Sequence, residues 1–190
     1  MRRVDLGWSR GLAGGLEVVP GGFLALLANG VRYRPALFQR DGDAWRRTLL
    51  EGEHVPQIFQ WSASPDGERV AYVTSAADRP PQPYAARLRG GELVGRVQLA
   101  ELNPEFAEKP KPRVEVVRWV GARGDSVEGL LYYPLDWREG RRYPLVVSPH
   151  GGPASADLDA WSQSWADPSV LYNQRNAFVF KPNYHGSANY

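Results

Sequence analysis

Apolar positions along this chain fall in short runs separated by glycine, proline and acidic turn residues, the texture of a protein built from strands. Phe23 to Ala28 and Val31 to Phe38 flank Asn29-Gly30. That arrangement predicts a β-hairpin with a type I′ turn, because both central positions of such a turn need positive φ and Asn-Gly tolerates it best. Asp41-Gly42-Asp43 marks the next turn, ahead of Trp45 to Leu50. The pattern then recurs: Pro20-Gly21-Gly22 before Phe23 to Leu27 lines up with Pro65-Asp66-Gly67 before Val70 to Val73, an offset of 45 residues between the prolines. A repeat of this length, with about four strands in each copy, is what propeller blades show. Because each blade buries its faces against neighbours, two do not close a propeller, so Met1 is expected not to be the natural start of the folded unit. The alternative is a small meander with an accidental repeat.

The pattern changes near residue 105. Asn103 to Pro112 is rich in charge and carries Pro104, Pro110 and Pro112, which oppose regular structure, so a linker is expected. Glu115 to Val120 and Val127 to Tyr133 read as two strands joined across residues 121–125, although Val114, Val116 and Trp119 leave the register open. Leu145 to Val147 is apolar without alternation, which suits a strand covered on both faces inside a parallel sheet. It ends in Ser148-Pro149-His150-Gly151-Gly152-Pro153, a glycine loop at the carboxyl end of a strand, where ligands bind in open α/β sheets. Without a Cβ, Gly151 and Gly152 are able to take positive φ and direct their N–H groups at a bound oxygen. Further on, Asp167-Pro168 predicts a helix N-cap with proline at the first helical position and a helix to about Gln174. Trp161 and Trp165, four apart, would share a helix face for packing. Ala177 to Lys181 reads as the next buried strand.

Composition narrows the field. Among the 190 residues, 43% are hydrophobic and 23% charged, ordinary for a soluble globular domain, and a net charge of +2 with scattered arginine pairs gives no nucleic-acid footprint. The sequence has no cysteine, which removes disulfides, thiolate metal sites and thiol nucleophiles. His54, His150 and His185 lie far apart without ligand spacing, so no metal or other cofactor is expected. The apolar run Phe23 to Ala28 is far short of the ~20 residues that span a bilayer, and no signal-type stretch follows Arg3; a cytoplasmic location without membrane contact is favoured.

The strand ending in His150-Gly151-Gly152-Pro153 resembles the oxyanion-loop segment of the prolyl oligopeptidase family of serine peptidases, nearest to its acylaminoacyl-peptidase and dipeptidyl-peptidase-like branches. Upstream, Val127 to Pro134 resembles the strand that opens the family's hydrolase domain. Downstream, Asn183-Tyr184-His185-Gly186-Ser187 resembles its Asn-Tyr-Arg-Gly-Ser segment, with histidine at 185 where arginine is usual. The resemblance implies a fragment with a partial β-propeller over 1–105, a linker over 106–113 and the N-terminal part of an α/β-hydrolase domain over 114–190. It implies a peptide substrate hydrolysed through an acyl-enzyme, and it leaves a homo-oligomer open.

Under that resemblance the loop His150 to Pro153 supplies an oxyanion donor, Gly152 N–H above all, and the His150 side chain braces the loop. The nucleophile, acid and base are expected after Tyr190, because hydrolase triads run Ser, then Asp or Glu, then His, all beyond this loop. The 190-residue chain alone is then expected to be inactive. Gly7-Trp8-Ser9-Arg10-Gly11 matches the Gly-x-Ser-x-Gly elbow, yet it precedes the loop and runs into glycines that do not start a helix. Ser148, Ser155, Ser162 and Ser187 lack an elbow altogether. An esterase or lipase-like hydrolase sharing the glycine loop, and a non-enzymatic propeller-type binding module, are the alternatives.

Overall fold

The computed structural model describes residues 5–152, 154–162, 164 and 166–190. Two compact units emerge, one holding residues up to Ser75, 81–102 and Asn189, the other 76–80, 103–188 and Tyr190.

The first unit is made of two four-stranded antiparallel sheets with strands in sequential order. The first comprises β1 (Leu12–Val19), β2 (Gly22–Asn29), β3 (Arg32–Asp41) and β4 (Ala44–Leu49), and the second β5 (Ile58–Ala63), β6 (Arg69–Ala76), β7 (Arg79–Arg89) and β8 (Glu92–Gln98). Sheet β1–β4 is apolar on both sides. Leu24 and Leu26 of β2 join Val19, Leu50, Ile58, Trp61, Val70 and Leu93 in a core shared with the second sheet, while Ala25 and Leu27 face the other way with Ala36 and Phe38. Burial on both faces explains why Phe23 to Ala28 is apolar without alternation although its sheet is antiparallel. Each fully buried leucine contributes about 1.5–3 kcal/mol relative to exposure.

The β2–β3 turn differs from the sequence expectation. Asn29 pairs with Arg32, so Gly30 and Val31 are the central residues, and only Gly30, at φ 68°, is positive. That is the requirement of a type II′ turn, with glycine first, and Asn29 stays in the strand. The turn expected at Asp41-Gly42-Asp43 has the same form, with Gly42 at φ 59° between the paired Asp41 and Ala44.

In the second unit the strands β9 (Val114–Val120), β10 (Ser126–Tyr132), β11 (Leu145–Val147) and β12 (Phe178–Pro182) form a mixed sheet in the order β11-β12-β10-β9. β9 and β10 pair without interruption from Val120↔Ser126 to Val114↔Tyr132, which fixes the register the sequence left open. β10 and β12 are antiparallel, β11 and β12 parallel. Gly129 sits where a Cβ would lie 2.7 Å from the Lys181 carbonyl oxygen and 2.8 Å from Phe180 Cε2, so a side chain there would push β10 from β12.

Several expectations are corrected here. β11 is not covered on both faces: it is an edge strand among the described residues, with Leu145 and Val147 57% and 55% exposed. The linker is not devoid of regular structure, since Pro104–Phe106 forms a 3₁₀ turn that uses Pro104 at its start, where no N–H is needed. Helix α1 (Ser169–Gln174) begins one residue later than expected, with Pro168 at the cap position and no side-chain cap. Asp167 does not cap it because its carboxylate is taken by Lys181, whose buried ammonium needs a counter-charge more than the helix needs an acceptor. The helix ends in a Schellman motif: Asn176 has φ 59°, its N–H bonds the Asn173 carbonyl at 3.1 Å, and the Ala177 N–H bonds the Tyr172 carbonyl at 3.0 Å. Trp161 lies in irregular chain, its ring 6.0 Å from that of Phe106, and Trp165 lies outside the described residues.

Candidate functional site

Parallel pairing of β11 with β12 sets the site. Val147 pairs with Phe180 and the Ser148 N–H bonds the Phe180 carbonyl at 2.9 Å, so the chain leaves both strands at the same edge of the sheet. The loop after β11 carries His150, Gly151 and Gly152; the loop after β12 carries Asn183, Tyr184, His185, Gly186 and Ser187. The two are laced together. His150 Nε2 lies 2.8 Å from Ser187 Oγ, the His150 and Tyr184 rings stack at 4.6 Å and 20°, and the Tyr184 hydroxyl donates to the His150 carbonyl at 3.1 Å. Asn183, fully buried, bonds both backbone groups of Asp157 through its amide, accepting from N–H at 2.8 Å and donating to C=O at 3.0 Å. A further backbone bond runs from Ala188 N–H to the Ser155 carbonyl at 2.9 Å.

The glycines play different parts. Gly152 has φ 145°, and a Cβ there would meet Ser155 Cβ at 3.0 Å; Gly151 lacks positive φ and would admit a Cβ without contact. Positive φ, open to either glycine, occurs at Gly152, where the chain turns back toward Ser155. Both residues are exposed, and among the described residues neither N–H donates to an acceptor within the protein. Pro153 lies outside the described residues.

Charged residues flank the loops in sequence or contact them. Lys181, with its side chain 3% exposed, pairs with Asp167, whose carboxylate also accepts from Ser169 Oγ at 2.7 Å and Ser162 Oγ at 3.1 Å. Burial raises the Asp167 pKa, but the hydrogen bonds from Lys181 and Ser169 outweigh it and hold the carboxyl below its ordinary range. Asp157 is pushed the other way: burial raises its pKa, with Lys181 opposing, and its Oδ2 is buried without a partner among the described residues. At the outer end of the second loop, His185 Nδ1 lies 2.8 Å from Asp125 Oδ2, and this hydrogen bond lowers the Asp125 pKa.

The structure therefore brings His150 to Ser187, 37 residues apart in sequence, which no spacing rule suggests; only adjacency of parallel strands does. Ser9 is in a turn followed by β1, and among the described residues neither the preceding strand nor the following helix of a nucleophile elbow flanks it.

No family model matches the chain. It is 28% identical over 162 residues to a probable dipeptidyl-peptidase 5 of Aspergillus niger, an alignment covering 83% of this chain and 21% of that protein. It is 26% identical over 157 residues to the acylamino-acid-releasing enzyme of Sus scrofa, covering 78% of this chain and 19% of the enzyme. The chain thus spans about a fifth of the length of these relatives. In structure it is similar to an acylaminoacyl peptidase of Pyrococcus horikoshii, with a TM-score of 0.69 at 21% identity over 95% of this chain and 26% of that one.

Proposed function

We propose, for a chain whose sequence relatives and structural neighbours are peptidases of the prolyl oligopeptidase family, that it contributes the oxyanion loop of a serine peptidase acting on short peptides. The two sequential sheets of the first unit are read as propeller blades. The mixed sheet of the second is read as the opening strands of an α/β-hydrolase domain. The observation that carries the proposal is the loop itself: two consecutive exposed glycine amides without protein acceptors among the described residues, at the carboxyl end of a parallel strand, on a segment pinned through His150.

In the chemistry this implies, a serine oxygen attacks the peptide carbonyl and the carbonyl oxygen becomes an oxyanion. A donor already fixed in place costs no reorganisation when that charge appears, and is worth about 2.7–4 kcal/mol. Gly152 N–H is the donor assigned here, with a second from the residue after the nucleophile. Nucleophile, acid and base lie outside these 190 residues in this proposal. The repeated sheets before the loop favour a peptidase over an esterase, because blades would restrict access to short or unstructured chains, whereas a bare esterase has no use for them.

The test is turnover of N-acylated and free-amine peptide substrates against short-chain esters by the longest natural product of the gene encoding these residues. Peptide cleavage inhibited by a fluorophosphonate supports the proposal. Ester turnover alone, or no turnover with peptide binding, refutes it.

A further inference from the structure

The contact between His150 and Ser187 has the geometry of a base and a nucleophile: 2.8 Å between Nε2 and Oγ, with the other ring nitrogen held by a third group, the Gly151 carbonyl, at 3.0 Å. Two features decide what it does. Ser187 is only 3% exposed, which leaves no approach for a substrate carbonyl to its Oγ. The hydrogen-bond directions are also fixed. A carbonyl oxygen only accepts, so Nδ1 carries the hydrogen in its contact with Gly151. The Tyr184 hydroxyl has one hydrogen and gives it to the His150 carbonyl at 3.1 Å, so it does not compete by donating to Nδ1, 3.5 Å away. In the neutral ring Nε2 is then an acceptor, and Ser187 Oγ–H donates to it.

We infer that Ser187 is a positioning residue: by donating to Nε2 it holds His150 in the Nδ1–H tautomer, and that tautomer ties the ring to the Gly151 carbonyl and fixes the peptide plane that presents the Gly152 N–H. The ring is clamped on three sides, by Ser187 at Nε2, by Gly151 at Nδ1 and by the Tyr184 face. The peptide joining Gly151 to Gly152 contains both the carbonyl bound by His150 and the amide assigned to the oxyanion. Turning one turns the other. The inference deepens the oxyanion-loop reading and rests on it for its catalytic meaning, but not for its structural content.

Long-range ¹H–¹⁵N correlation spectra of the longest encoded form of the protein, labelled at histidine and glycine and taken where His150 is neutral, test it. The Nδ1–H tautomer is expected in the wild type. Ser187→Ala should shift the population toward Nε2–H and move the Gly151 and Gly152 amide signals, while Ser187→Thr, which keeps the hydroxyl, should retain the wild-type tautomer. A role in packing alone would lower stability without moving the tautomer. An Nε2–H tautomer in the wild type overturns the inference even if Ser187→Ala does not fold, as does an unchanged tautomer in a folded Ser187→Ala. A fluorophosphonate adduct on Ser187, read by mass spectrometry, also overturns it by making the serine a nucleophile. The functional reading fails separately: in the longest encoded form, Ser187→Ala should lower kcat on the order of ten-fold with KM little changed, less than the about 10²–10³ for losing an oxyanion donor. Full activity despite a shifted tautomer would refute the oxyanion assignment and leave the positioning result standing.

Discussion

Lys181, near the end of β12, carries its ammonium, almost wholly buried, against the carboxylate of Asp167. The partners are unequally exposed, with side chains 3% and 26% accessible, and the consequences of removing each are unequal too. Asp167→Asn leaves a buried cation without its counter-charge and is expected to destabilise by about 3 kcal/mol, the lower end for a broken buried pair because Asp167 retains some solvent. Lys181→Met should cost less, about 1–2 kcal/mol, since the remaining carboxylate is the better solvated partner. The double variant should recover part of the Asp167→Asn loss. Urea unfolding of the three variants checks the order.

The same pair predicts a pH dependence. The Asp167 pKa is lower folded than unfolded, so its contribution is present above the unfolded value and is lost as pH falls through the folded one. The stability gap between wild type and Asp167→Asn should therefore be constant near neutrality and close below about pH 4. A gap that widens in acid would contradict the pairing.

Gly129→Ala tests the packing that brings β12 to β10. A methyl at 2.7 Å from the Lys181 carbonyl oxygen forces the strands apart, at an expected cost of about 1–3 kcal/mol in thermal or urea unfolding. Gly151→Ala, where the added carbon meets nothing within 4 Å, should change stability by less than about 0.5 kcal/mol and serves as its control.

How far the sequence exposed these features depends on the range of the interaction. Local chemistry was readable: the glycine turns, the repeat of Pro20 and Pro65, the end of α1 near Gln174 and the run Leu145 to Val147 are each written in a few adjacent residues. Where two local rules compete, longer-range contacts decide. Asn29-Gly30 satisfies one hairpin turn, yet strand pairing carried Asn29 into β2 and moved the turn to Gly30-Val31. Asp167-Pro168 is a sound capping signal, yet Lys181, fourteen residues on, claimed the carboxylate. Contacts set only by topology were invisible. Nothing near Ser187 announces His150, and nothing near His185 announces Asp125, because both pairs depend on which strands lie side by side.

His185 bonds Asp125 across 60 residues and ties the second loop to the β9–β10 turn. The hydrogen bond from His185 lowers the Asp125 pKa, so the carboxylate's share of this tie is lost as pH falls through that lowered value. Arginine keeps its charge at every pH of interest, whereas histidine does not. His185→Arg is accordingly expected to slow amide exchange over residues 183–187 relative to wild type at pH 8, and Asp125→Asn to speed it. Equal exchange in all three proteins would show that the contact does not hold the loop.

The most direct measurement of the central claim is a crystal structure of the longest encoded form of the protein with a peptide boronic acid, whose tetrahedral adduct mimics the oxyanion. The Gly152 nitrogen is expected about 2.7–3.1 Å from the adduct oxygen that stands for the former carbonyl, with the His150–Ser187 contact intact. An adduct oxygen that takes its hydrogen bonds elsewhere, with Gly152 turned away, would contradict it.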